Sequence, residues 1–236
     1  ISLTGNSTNG TGLFLGGNKT LSASNGSINL TGSSTSGVGL YLGENNSTNT
    51  LTATNGNISL NGVSVANVAI EIRGTNTLTA DNINLTGNSK NGMGIDVQRG
   101  ANTLNATNGS INLTGNSTNG TGLQLINGTN TLNATNGSIN LTGNSTNGTG
   151  IDLQGTNTLT ATSGAISFNG TSGKSRGINI CGTSNILNAT EINLTGSSTG
   201  AEGIDISGNS TLTATSGNIS LNGTAQSQWY GVRIQG

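Results

Sequence analysis

A right-handed parallel β-helix with three strands per coil is the fold this sequence predicts, on three observations. An Ile-Asn/Ser-Leu-Thr/Asn-Gly block (Leu replaced once by Phe168) recurs along the whole chain. Apolar and polar residues alternate within each repeat, which is the period of a strand. Where one repeat runs into the next, length changes come in twos, and that preserves side-chain parity.

The block starts at Ile1, Ile28, Ile58, Ile83, Ile111, Ile139, Ile166, Ile192 and Ile219, so successive starts lie 25 to 30 residues apart. Repeats of this length signal a solenoid. The first segment of each repeat points an Ile and then a Leu the same way, as in Ile28/Leu30 and Ile111/Leu113. The second begins 12 residues after the first Ile in eight repeats, from Leu13/Leu15 and Leu40/Leu42 to Ile204/Ile206. The third is Leu-x-Ala each time, from Leu21/Ala23 to Leu212/Ala214. Three short strands per repeat, separated by Gly/Asn turns, describe one coil of a β-helix.

Stacked coils would set like residues about 4.8 Å apart, in six inward columns that read Ile, Leu, Ile/Leu, Ile/Leu, Leu, Ala. Five large aliphatics per coil, at about 1.5–3 kcal/mol each, offset the ordering entropy of many polar residues. The Ala column marks a tight corner. Length varies most between the second and third strands, where Asn45–Thr48 is an insertion. The third-to-first spacing is 7, or 5 at Leu78–Ile83 and Leu187–Ile192. Residues 1–236 therefore form a single β-helix of about nine coils, expected to continue end to end into further coils of a longer repetitive chain. The crossover rule for parallel strands supplies the right-handed twist.

Composition narrows the function. Only 6% of the 236 residues are charged, with seven Lys+Arg against eight Asp+Glu, so no basic patch can form to bind nucleic acid or an anionic membrane. The absence of His removes His-based acid–base chemistry and His-ligated metals. No apolar run approaches the length of a transmembrane helix, a lone Cys supplies no disulfide framework, and nothing reads as a signal peptide. No cofactor or metal is expected.

Parity assigns the outward faces. The first strand shows Asn or Ser outward and leads into Gly-Asn-Ser-Thr-Asn-Gly loops. Two overlapping readings apply: hydrogen-bonded ladders, and exposed acceptors for Asn-linked glycans at Asn-x-Ser/Thr. Candidate acceptors are Asn6, Asn9, Asn18, Asn25, Asn29, Asn108, Asn112, Asn116, Asn119, Asn136, Asn140, Asn144 and Asn147. The second strand is the variable one. Phe14, Tyr41, Glu71, Arg73, Asp96, Asp152, Asp205 and Arg233 are expected to face outward, where a partner could read them or where they simply keep the rod soluble. Glu71 and Asp96 would lie one coil apart, near the carboxylate separation of retaining glycosidases. A flat outward ladder has no cleft to perturb a pKa, so an enzyme is not expected. The third strand presents Thr-x-Thr (Thr50/Thr52, Thr77/Thr79, Thr158/Thr160, Thr211/Thr213), interrupted by Asn105, Asn133, Ile186 and Asn188. This array resembles the ice-binding faces of some β-helical antifreeze proteins, which makes ice binding the alternative function.

The repeated Ile-Asn-Leu-Thr-Gly, Thr-Leu-Asn/Thr-Ala-Thr and Asn-Gly-Ser-Ile strings resemble the rod of large adhesins exported by two-partner secretion, the filamentous haemagglutinin and high-molecular-weight adhesin type. The resemblance implies a right-handed β-helix, export through an outer-membrane partner pore, and residence outside the cell or on the outer face of the bacterial outer membrane. It also implies attachment to a receptor or glycan on host cells or other bacteria, and hexose addition at the Asn-x-Ser/Thr positions above.

Overall fold

The computed structural model describes residues 1–226 and 228–236. Among them lie 22 strands and no helix. Every strand pair is parallel and joins residues one coil apart, as in Ile83↔Ile111↔Ile139. The chain is a β-solenoid of about nine turns built on the expected repeat.

The strands form two hydrogen-bonded sheets, not three. The short second segments make a 9-stranded sheet running from Leu13–Leu15 to Val232–Gln235. First and third segments share the other, 13-stranded sheet. In four coils a third segment continues unbroken into the next first segment: Thr48–Ser64, Thr75–Ser89, Thr156–Ser172 and Ser184–Ser198. Register shifts between Ala53 and Asn57 and between Ala161 and Ala165, then resumes with Ile on Ile. Two extra residues in the longer coil are taken up there as a bulge, which bends a strand without ending it. The Ala column lies beside that bend.

Between the end coils the Ile, Leu and Ala columns are buried, and Phe168 takes a Leu place within them. A seventh inward column is polar. Asn49, Asn76, Asn102, Asn130, Asn157 and Asn185 are each at most 1% exposed. Each sits two residues before the Leu of its third segment, so parity turns it inward with that Leu. Their amides form an uninterrupted ladder: Nδ2 of Asn49 donates to Oδ1 of Asn76 (3.0 Å), and so on through Asn102 (2.8 Å), Asn130 (3.1 Å), Asn157 (2.9 Å) and Asn185 (2.8 Å). The second amide hydrogen of Asn76 and Asn157 goes to the corner carbonyls of Arg73 and Gln154. Buried polar groups persist only when bonded in this way.

A serine at the end of eight of the nine first segments secures the following turn, the last ending in Ala225. The Ser117 hydroxyl donates to the Gly92 carbonyl one coil away (2.6 Å) and accepts from the Gly120 N–H (2.8 Å). Ser34, Ser64, Ser89, Ser145 and Ser172 repeat the arrangement. The corner after the short sheet needs a left-handed residue. At Gly74 (φ 80°) a Cβ would strike the Glu44 and Ser47 carbonyls, so only glycine fits.

Asn130→Ala would strand a donor on Asn102 and an acceptor on Asn157, each at about 1–3 kcal/mol. A loss of about 2–6 kcal/mol in the urea unfolding free energy is expected, against under about 1 kcal/mol for Asn112→Ala on the half-buried outer ladder.

Candidate functional site on the short sheet

The middle residue of each short-sheet strand faces away from the Ile/Leu core, and this column carries the chain's chemical variety. It reads Phe14, Tyr41, Glu71, Asp96, Gln124, Asp152, Asn179, Asp205, Arg233, each paired with the next coil. Facing away from the core does not mean facing water. Phe14 is 49% exposed, but Glu71, Asp96, Gln124, Asp152, Asn179 and Asp205 are all buried, Asp96 completely. That overturns the expected solvent-facing ladder. Each side chain is covered by neighbours about 4.8 Å above and below and by longer side chains from flanking positions that fold back onto the column.

The column divides into four groups. At one end the Phe14 and Tyr41 rings stack with centroids 5.2 Å apart at 37°. Arg73 lies over Tyr41 at 5.7 Å and pairs with Glu71. Next, Gln98 Nε2 donates to both Glu71 Oε1 (3.1 Å) and Asp96 Oδ2 (2.5 Å), while Gln124 donates to Asp96 Oδ1 (2.7 Å). In the following coils, Asp152 accepts from Asn179 (2.7 Å) and Gln154 (2.8 Å). At the far end two arginines enclose two buried carboxylates. Arg176 reaches Asp205 (2.9 Å) and Glu202 (3.3 Å) from one side, and Arg233 reaches Glu202 (3.0 Å) and Asp205 from the other.

Sequence reading missed Arg176 and Glu202. Their signal was opposite charges two residues before Ile178 and Ile204, one coil apart, where Thr121 and Thr149 stand in other coils.

Burial shifts the carboxyls, contrary to the expectation drawn from an open ladder. Desolvation raises Glu71 against the pull of Arg73, and the Asp96 charge pushes it further up. Asp96 is raised by burial, opposed by hydrogen bonds from Gln124 and Gln98 and by the charges of Arg73 and Arg99. Asp152 is raised by burial against its bonds to Asn179 and Gln154 and the charge of Arg176. Burial and then the Asp152 charge raise the Cys181 thiol, which disfavours a thiolate.

The candidate glycan acceptors fall into two sets. Asn6, Asn9, Asn18, Asn25, Asn29, Asn108, Asn119 and Asn136 are exposed; Asn112, Asn116, Asn140, Asn144 and Asn147 are half-buried. Outer ladders run through the second set, with Asn140 donating to Asn112 and Asn112 to Asn84 (both 2.8 Å), and Asn144 to Asn116 (2.8 Å). Asn119 joins a third, between Asn91 and Asn147. On the third segment, register aligns Thr20, Thr50, Thr77, Thr103, Thr131 and Thr158 over six successive coils before Ile186 breaks the file. One surface groove is lined by Val63, Asn88, Lys90, Asn116 and Thr118. Among the described residues no group of three or more His, Cys, Asp or Glu is placed to hold a metal ion.

No family model, curated protein or solved structure matches the chain. The likeness to two-partner-secretion adhesins therefore rests on the repeat strings.

A group whose folded pKa is raised binds its proton more tightly folded than unfolded. Its stabilisation is complete below the ordinary carboxylate range, about pH 4, and is lost as pH rises through the raised value. The urea midpoint is therefore expected to fall as pH rises above about 4, and Glu71→Gln with Asp96→Asn and Asp152→Asn to flatten that slope.

Proposed function

We propose that the chain is a stiff, non-catalytic spacer segment of an adhesin displayed outside a bacterial cell, and that the attachment chemistry lies elsewhere in the parent protein. The carrying observation is that the repeat is spent on bonding coil to coil. Backbone ladders, the buried Asn ladder and the turn serines all point along the rod axis, and the variable column is largely used up in internal pairs. Such a rod resists bending and slip while offering little concave surface to a ligand.

A polysaccharide-cleaving role is not supported by the carboxylates. Gln98 bonds to Glu71 and Asp96 together, so its amide stands where a glycosidic bond would have to lie. The partner-contact reading narrows to Phe14 and Tyr41 with the partly exposed Arg73 and Arg233. Near-absence of charge leaves a bare rod poorly hydrated, and sugars on the exposed acceptors would remedy that.

Antibody raised against the chain is expected to label unpermeabilised cells of the source bacterium, and beads coated with the chain to show no attachment of their own to epithelial cells. Labelling only after permeabilisation would sink the adhesin reading. Bead attachment lost on Tyr41→Ala would replace the spacer with a binding module.

Peptide mapping of the native protein is expected to find hexose additions at exposed sites such as Asn9, Asn25 and Asn136, with Asn112 and Asn140 bare. A wholly unmodified mass would remove the glycan component.

A further inference from the structure

Inward columns that make the coils stack also make them interchangeable. Residues 102–122 and 130–150 are identical at every position. A coil could be looped out and its neighbours paired directly, and Ile would still meet Ile and Asn still meet Asn. Burial in the apolar core and the amide ladders opposes leaving any coil out, but neither distinguishes which coil stacks on which, because each column is complementary to itself. A unique native state needs features that penalise the alternative registers.

The variable column supplies differences of that kind. Most neighbours are matched: ring on ring for Phe14 and Tyr41, amide on carboxylate for Gln124 and Asp96 and for Asn179 and Asp152, and carboxylates between two guanidiniums for Glu202 and Asp205. The native carboxylate pair, Glu71 on Asp96, is bridged by Gln98 and has Arg73 beside it. Looping out the coil of Gln124 would bring Asp96 onto Asp152, two buried carboxylates without the intervening amide. Looping out the coil of Asn179 would bring Asp152 onto Asp205 and remove Arg176. Looping out the coil of Asp205 would deprive Arg176 and Arg233 of both anions. Like charges set directly opposite each other in a sheet are destabilising, and an unpaired buried charge is far costlier than an apolar mismatch. A single buried polar residue fixes register in coiled coils by the same logic.

We propose that the variable column of the short sheet specifies which coil stacks on which, discriminating against registers in which a coil has been skipped. Its variation then answers to its neighbours in the rod, which accounts for variable residues that are buried.

The test traps the skipped register. In a Cys181→Ser background, Asn84→Cys and Asn140→Cys lie two coils apart in the native register, flanking Asn112. At about 9.6 Å they are beyond disulfide reach, but they become direct neighbours if the coil between them is looped out. The protein is unfolded in urea, refolded, oxidised and mapped by peptide mass. Exchanging the column with Gln124→Asp and Asp152→Gln sets carboxylates together in the native register and an amide against Asp96 in the skipped one. The skipped-register disulfide is expected to rise at least about tenfold, the factor equivalent to about 1.4 kcal/mol. The native-register pair Asn112→Cys and Asn140→Cys in the same background reports whether the exchanged chain folds. If it does not, Asp96→Asn with Asp152→Asn removes the like-charge contact at nearly constant shape, and the same rise is expected. A skipped-register disulfide that stays at the unexchanged level in whichever variant refolds overturns the proposal.

Discussion

Parallel pairing one coil apart stacks each residue on its own counterpart, and that constraint decides which side chains the repeat can hold. Apolar columns tolerate it because Ile packs on Ile as well as on anything else. Amides tolerate it because Asn is both donor and acceptor, so a column of Asn bonds to itself without remainder. Hydroxyls and glycines cause no conflict either. A repeated Asp or Lys would face its own charge at about 4.8 Å along the whole rod. A chain that is 6% charged and rich in Asn, Ser, Thr and Gly is what this geometry permits.

Charge enters where the repeat is broken. The short-sheet column avoids self-stacking by changing residue from coil to coil, and its ions are placed against amides or opposite ions, with Gln98 bridging the one adjacent carboxylate pair, Glu71 and Asp96. Covering these groups raises three of the carboxyls, a cost spread over a rod whose other columns carry only scattered charges such as Lys19 and Glu191.

Much of the fold could be read because period-two spacing and repeat length are strong signals. The Ile, Leu and Ala columns, the coil boundaries and the two-residue corner adjustment all follow from them. The buried Asn column was equally present in parity, since Asn49, Asn76 and Asn102 share a face with Leu51, Leu78 and Leu104. Asparagine's usual place at the surface argues the other way, and only a coil-to-coil amide bond reverses that. The continuity of Thr48–Ser64 around its corner depends on hydrogen bonds that leave no trace in side-chain pattern. For the candidate site, alternation distinguishes core-facing from outward-facing but is silent on what lies over an outward residue. Hence Asp96 and Asp205 read as exposed, and the Arg176–Glu202 contact went unseen.

The amide columns also have a direction. In the inner ladder each Asn donates to the coil that follows, from Asn49 towards Asn185. In the outer ladders each Asn donates to the coil before, as Asn140 does to Asn112, Asn144 to Asn116 and Asn147 to Asn119. An amide carries a dipole of about 3.5 D, and aligned files of one sense would sum along the axis as they do in a helix. Opposed files subtract. Lengthening the rod coil by coil therefore builds up less of a potential difference between its ends than files of a single sense would.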